Sequence, residues 1–183
     1  MTRNEVTQIT QLLEKDVVRL QALKSVYSLQ LPDCYVAAGF IRNMVWDFVH
    51  GYHVSTPLND VDVIYFDNSE LSNNVHEHYE QQLTEMMPDL NWQVRNQAKM
   101  HVRNGDKPYK SALDAMGYWV EKETSVAARI LDNHQIECIS AFGFKSLFQL
   151  KLTYNPKRDR ATFEHRISSK GWLIQWPKLT VHI

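Results

Sequence analysis

The order of helical and strand-like segments predicts an α/β (α+β) fold, a small mixed β-sheet flanked by helices. Three observations carry the prediction. Apolar residues recur three or four apart in several segments, which is helical spacing. Short runs rich in Val, Ile and Tyr stand between them, bounded by Gly, Pro and Asn, as in "CYVAAG" and "PLNDVDVIYFD". The segment "SVAARILDNHQIECIS" brings two such runs together around Asp132–Asn133, so a hairpin joins the alternating order. At 183 residues the chain is long enough to bury one core, and a single domain spanning 1–183 is expected.

Over residues 4–29, Val6, Ile9, Leu12, Leu13, Val17, Leu20, Leu23, Val26 and Tyr27 predict one long helix, with Thr2 and Glu5 at capping-box spacing. "CYVAAG" is a strand ending at glycine. Ile41, Met44, Val45, Phe48 and Val49 predict the next helix, with Gly51 as its stop. "PLNDVDVIYFD" is the second strand. Ser69 is the expected cap of a helix carrying Leu71, Val75, Tyr79, Leu83 and Met86 and closed by Pro88. "NWQVRNQAKMHV" reads as extended, followed by the loop "RNGDKPYK". Ser111 and Asp114 are candidate caps of a helix reaching Val120. After the hairpin, "FGFKSLFQLKL" is helical and "NPKRDR" breaks it. "GWLIQWPKLTVHI" follows no single period.

Composition excludes some classes. No apolar run approaches the roughly 20 residues that cross a bilayer, and the N-terminus lacks a secretory layout, so a cytoplasmic protein without membrane partners is expected. Cys34 and Cys138 fit no CxxC pattern and read as thiols in a reducing compartment. His76 and His78 do not share a helix face, and His50 and His53 gain no further ligand at metal spacing, so zinc is not expected. Charge is uneven. Residues 151–183 carry seven Lys/Arg against Asp159 and Glu164, a net +5, and the first 150 residues carry −6. Such a segment is usually a solvated face; contact with phosphate is the alternative.

Two carboxylates need a reason. In a strand, Asp60 and Asp62 project to one face, about 3.3 Å of rise per residue apart, while Val61 and Val63 point the other way. Close carboxylates repel unless a cation stands between them, and carboxylate oxygens suit Mg²⁺. Such a pair also occurs by chance at turns. Upstream, Ala37, Ala38 and Gly39 leave little bulk where a strand becomes a helix, so backbone N–H groups there can approach a triphosphate. Arg42 can make a bidentate phosphate contact or pair with Asp60 or Asp62.

"AAGFIRNMVWDFVHG" followed by "NDVDVIYF" resembles the signature of the polymerase-beta-like nucleotidyltransferases, especially the CCA-adding and poly(A) polymerase branch. That signature runs G-G-x-h-R-D-x-h-h-x-G, then D-h-D-h, with h apolar. Ala38-Gly39 stand at its two glycines, Arg42-Asn43 at its Arg-Asp, and Gly51 near its closing glycine. "IECISAFGFKSLFQLKL" resembles a second motif through Phe142, Gly143, Phe144 and Leu147. Together with "WQVRNQAKMH" and "DAMGYWVEKETS" these stretches resemble a compact bacterial nucleotidyltransferase-like family. The resemblance covers residues 34–156 and leaves 157–183 as a basic, aromatic extension.

The resemblance implies a nucleotidyltransferase fold and metal-dependent transfer of a nucleoside monophosphate from an NTP to an acceptor hydroxyl. It implies Mg²⁺ or Mn²⁺ on Asp60 and Asp62, and an NTP held by Gly39, Arg42, Asn43, Asn96 and Lys99. The acceptor is undefined, RNA or a small molecule. The superfamily's third carboxylate falls at Gln93, whose amide can orient a hydroxyl but cannot take its proton. Glu137 is an alternative third carboxylate, though later than the resemblance places it. The rival is a nucleotide- or RNA-binding module of the same fold with little or no turnover. A plain interaction domain would make the Asp pair accidental. Arg129 is expected in a surface salt bridge; Trp46, Trp92 and Trp119 in the core; Trp172 and Trp176 in packing rather than base stacking.

Overall fold

A five-stranded sheet in the order β3-β2-β1-β4-β5 organises the chain in a computed structural model that describes residues 2–72 and 74–183, with only the backbone of Thr2 and Arg3. The strands are β1 Tyr35–Ala37, β2 Val61–Tyr65, β3 Trp92–Asn96, β4 Val126–Ile130 and β5 Ile136–Ser140. β2 and β3 run parallel and the other neighbours antiparallel, so the sheet is mixed as expected. The helices are α1 Thr2–Lys15, α2 Val17–Ser28, α3 Gly39–His50, α4 Val75–Met86, α5 Gln97–Asn104, α6 Ala112–Met116, α7 Lys145–Phe148, α8 Arg160–Ser169 and α9 Trp172–Gln175. A second, parallel pair joins β6 Lys151–Thr153 to β7 Thr180–His182.

Strand alternation gives the sheet two unlike faces. Val36, Val63, Val94 and Ala128 point into the main core with Ile9, Leu13, Leu23, Phe40, Ile41 and Trp46 from the helices. Trp172, Trp176 and Leu179 join that core, so the C-terminal segment packs against the sheet's helices. On the opposite face, Tyr35, Ala37, Ile64 and Ala127 meet Ala112 and Met116 of α6. That smaller cover leaves the β2–β3 part of the face open.

Several boundaries differ from the sequence expectation, each for a local reason. The first helix is two. Asp16 is extended, and its carboxylate accepts the Arg19 N–H at 3.0 Å, capping α2. The restart turns Val17 outward, 80% exposed, while Arg19 is buried with its Nε on the Phe40 carbonyl at 2.9 Å. The side chain of Thr2, the expected cap partner of Glu5, lies outside the described residues. Ser69 caps no helix: its N–H and hydroxyl donate to Asp67 Oδ1 at 2.8 and 2.6 Å, and α4 starts six residues later. Leu71 is fully in solvent. The run "NWQVRNQAKMHV" is not extended throughout, because Asn96 accepts the Ala98 N–H at 3.0 Å and turns the chain into α5. The helix capped by Ser111 stops at Met116, well short of Val120. "FGFKSLFQLKL" is one helical turn and then a strand, with Leu150 at φ +55° between them.

Candidate active site

The turn from β1 into α3 begins at Ala38, whose φ of +56° and ψ of −123° are conformations glycine adopts far more easily. A Cβ added at Gly39 would meet only the Arg42 and Asn43 side chains, at 3.5–3.7 Å, so the protein's own packing does not demand that glycine. α3 ends as expected, at a left-handed Gly51. Asp47 on the same helix is buried and holds the following loop: its carboxylate accepts the Thr56 N–H and hydroxyl at 2.7 and 2.6 Å and the Trp176 indole N–H at 2.7 Å. That loop leads to Asp60.

Asp60 lies one residue before β2, exposed, and accepts the Asn91 amide at 2.6 Å. Asp62 lies in the strand, half-buried, level with Ala37 on one side and Gln93 on the other. The small Ala37 leaves the space above Asp62 open. Burial pushes the Asp62 carboxyl above its ordinary value; Arg42 opposes that and Asp60 reinforces it. Among the described residues Asp62 makes no hydrogen bond or ion pair, so its charge has company only at a distance.

Two outward carboxylates, one without a hydrogen-bond partner, are a donor set that fits a hard divalent cation. No group of three His, Cys, Asp or Glu that could hold a metal occurs among the described residues, so a cation here would have two protein carboxylates and take the rest of its shell from elsewhere. Mg²⁺ ordinarily takes one or two carboxylates and completes its shell with water and substrate phosphate.

Arg42 faces the same space but is 5% exposed. Its Nη1 donates to Thr124 Oγ1 at 2.6 Å, and Nε and Nη2 donate to Asn43 Oδ1 at 3.2 and 3.0 Å. The guanidinium lies 4.5 Å from the Trp172 ring centroid and 4.8 Å from that of Trp46. Burial pushes its pKa down to about 10, with Glu121 and Asp62 acting against that and Arg166 adding to it.

These groups line a cleft of about 520 Å³ that runs from Gly39, Arg42 and Asp62 past Gln93 to Tyr109, Tyr118 and Trp119. Its far wall is a latch. Arg158 donates to both Asp106 oxygens, at 3.0 and 2.6 Å, and to the Tyr109 hydroxyl at 3.2 Å, with its Nε on the Tyr118 carbonyl. A second cavity, also about 520 Å³, lies between α2 and β4 and shares no lining residue with the cleft.

The residues singled out from the sequence divide. Gly39, Arg42, Asn43, Asp60, Asp62 and Gln93 come together around the cleft. Gln93 stands beside Asp62 in register, with its oxygen accepting from Arg95 Nη2 at 2.9 Å. Asn96 and Lys99 line other ground. Asn96 is buried, clipped to both the N–H and carbonyl of Asp67; Lys99 pairs with Glu70 at 2.8 Å and bonds the Ser72 carbonyl. Glu137 pairs with Arg129 at 2.7 Å on β5, outside the cleft, which answers the expected Arg129 salt bridge. Trp172 and Trp176 are packed, and Trp119 is a half-buried cleft wall. Sequence reasoning missed Glu121, Thr124, Arg158, Arg166 and Lys170 as cleft residues. The one signal for the last three was the +5 charge of residues 151–183.

The chain matches a family described as nucleotidyltransferase over residues 24–181. No curated protein matches it. Among solved structures, one described as revealing a CCA-adding enzyme head domain is similar at a TM-score of 0.84 and 25% identity, covering 96% of this chain and 94% of that one. Two described as tRNA-processing enzymes are similar at TM-scores of 0.46 and 0.45, with 13% and 14% identity; each match covers 84% of this chain and 41% or 39% of the other.

Proposed function

The chain belongs to this nucleotidyltransferase family, and from that premise we propose that it binds an NTP with Mg²⁺ or Mn²⁺ in the cleft and transfers the nucleoside monophosphate to an acceptor hydroxyl. The observation that carries the proposal is Asp62, half-buried without a hydrogen-bond partner among the described residues, at the same end of the cleft as Arg42 and the start of α3. Asp60 and Asp62 hold the cation. A bound cation supplies charge neutralisation for the phosphate chain and acidifies an oxygen it touches. Gly39 lets the phosphates approach the backbone at α3, and Arg42 and Asn43 orient them. Asn96 and Lys99 act behind that surface by holding the β2–β3 end in place. The acceptor oxygen bonds to the α-phosphorus as the bond from that phosphorus to the bridging oxygen breaks, and pyrophosphate leaves with the electron pair. Gln93 orients the hydroxyl, whose proton passes to solvent because an amide cannot take it.

An RNA 3′ end is the first acceptor to try, supported by the similarity to a structure described as a CCA-adding enzyme head domain; a small-molecule alcohol is the second. Residues 1–183 are taken as one working domain in the cytoplasm, supported by two cysteines outside any disulfide and by the shared core. No helix among the described residues is long and apolar enough to cross a membrane. One observation favours a second reading, a nucleotide- or RNA-binding module with little turnover: Gln93 occupies the register position beside Asp62.

The test uses NTPs labelled at the α- or γ-phosphate, incubated with Mg²⁺ and RNA ending in a free hydroxyl. Transfer of α-label but not γ-label, lost in Asp62→Asn, is the expected result. Retention of full transfer in that variant overturns the site. NTP binding without transfer, even with small alcohols added, supports the binding module.

A further inference from the structure

Two arginines far apart in the sequence meet over one indole. Arg42 of α3 lies 4.5 Å and Arg166 of α8 5.5 Å from the Trp172 ring centroid. Glu121, fully buried, ties them together. Its carboxylate accepts from Arg166 Nε at 2.5 Å and Nη2 at 3.2 Å, and from the Thr124 hydroxyl at 3.0 Å. Thr124 in turn accepts from Arg42 Nη1. One buried carboxylate thus serves two guanidinium groups that repel each other.

The donors are not used up. Of five N–H groups on Arg42, three make the bonds described above. Arg166 Nη1 makes no hydrogen bond among the described residues, and that side chain is 31% exposed on the cleft. Lys170, one helical turn further, lines the same wall, is exposed, and forms no ion pair among the described residues. Three cations therefore share the cleft with Asp60 and Asp62, and one further carboxylate, Glu121, is spent on orienting two of them. Once a bound cation takes up Asp60 and Asp62, the three charges keep only Glu121, and holding them together is costly unless a further anion completes the set.

We propose that Arg166 and Lys170 of the C-terminal segment form, with Arg42, a clamp for the phosphate chain of the bound NTP, and that Glu121 is the positioning residue that aims it. This rests on the nucleotidyltransferase reading. It adds a binding wall from residues that lie beyond the 34–156 motifs. The planar fork of Arg166 suits bidentate phosphate contact, and Trp172 keeps both forks in place.

Inorganic tripolyphosphate is the probe, because it tests the clamp without any choice of base. Binding is measured by calorimetry in the presence of Mg²⁺ for the full chain, its Arg166→Ala variant, its Lys170→Ala variant, and the Glu121→Gln, Arg166→Gln pair. The pair is included because Arg166→Ala alone strands a buried carboxylate. Both Arg166 variants are expected to weaken tripolyphosphate and ATP about 10- to 100-fold and Lys170→Ala severalfold, with binding that falls steeply with salt. Arg166→Lys should recover part of the loss. If the wild type binds tripolyphosphate and the folded Arg166 variants bind it equally well, the clamp is overturned and the cleft reading stands. If the wild type binds neither tripolyphosphate nor ATP, the nucleotidyltransferase reading falls and the clamp with it.

Discussion

At Gln93 a single functional group separates two readings of the same cleft. It stands level with Asp62, where an amide can orient a hydroxyl but take no proton. General-base assistance is worth about 10²–10⁴-fold in rate. Gln93→Glu is therefore expected to raise transfer within that range when the cation is present, read as initial rates at saturating NTP. A variant no faster than the wild type would show that proton removal does not limit the reaction. Ala38 gives a second residue-scale expectation. Its φ of +56° costs an alanine on the order of 1–3 kcal/mol, which glycine escapes at some cost in unfolded-chain entropy. Ala38→Gly should raise stability by about 1 kcal/mol in urea unfolding; a destabilised variant would show that the Ala38 methyl, buried among Ile64 and Ala127, outweighs the strain. Residue identity told most where a motif was local. Gly39, Arg42 and Asp62 were readable from 24 consecutive positions, whereas Glu121 carried no mark in the sequence as the group that would orient two arginines.

Elements were legible where periodicity was strong and misread where one polar side chain redirected the chain. α3, β2 and the β4–β5 hairpin appeared as expected because their apolar spacing and turn residues agree. The break at Asp16 was not visible, since an acidic residue inside an amphipathic run looks like solvated surface until its carboxylate is seen capping α2. α8 escaped notice because only Phe163 of its ten residues is buried, so no apolar stripe announces it. The α5–α6 wall depends on a contact that spans 52 residues, Arg158 to Asp106, which no local pattern encodes. Its pH behaviour is a check. Burial alone would raise the Asp106 carboxyl, but the hydrogen bonds from Arg158 and Tyr109 and the Arg158 charge outweigh it and hold the group below the usual range. The folded state therefore binds fewer protons at this site than the unfolded chain. The latch's stabilisation is complete above the unfolded value, about pH 3.9, and fades as pH falls through the lower folded value. Asp106→Asn should be less stable than the wild type at pH 6, with the gap closing below about pH 4, in thermal unfolding followed across pH. A gap that persists unchanged into acid would show that Asp106 acts by shape and not by charge.

At the scale of the whole molecule, two segments far apart in the sequence converge on one cleft. Residues 38–62 supply the turn, Arg42 and the aspartates; residues 158–172 supply three cations and the indole that covers Arg42. The uneven charge in the sequence was a correct observation whose meaning depended on folding. Seven basic residues at the C-terminus read as a solvated face, yet Trp172, Trp176 and Leu179 among them anchor the segment in the main core and turn part of that charge toward the aspartates. β7 was unreadable for the same reason, because its partner β6 lies about 30 residues earlier and their pairing is set by packing, not by a turn. The central claim is that Asp60 and Asp62 bind NTP through a cation. Calorimetric titration of an NTP into the protein, with and without Mg²⁺, and into the Asp60→Asn, Asp62→Asn double variant tests it most directly. The account predicts binding that requires the cation and disappears in the folded double variant; NTP binding of equal strength without Mg²⁺, or unchanged in that variant, would contradict it.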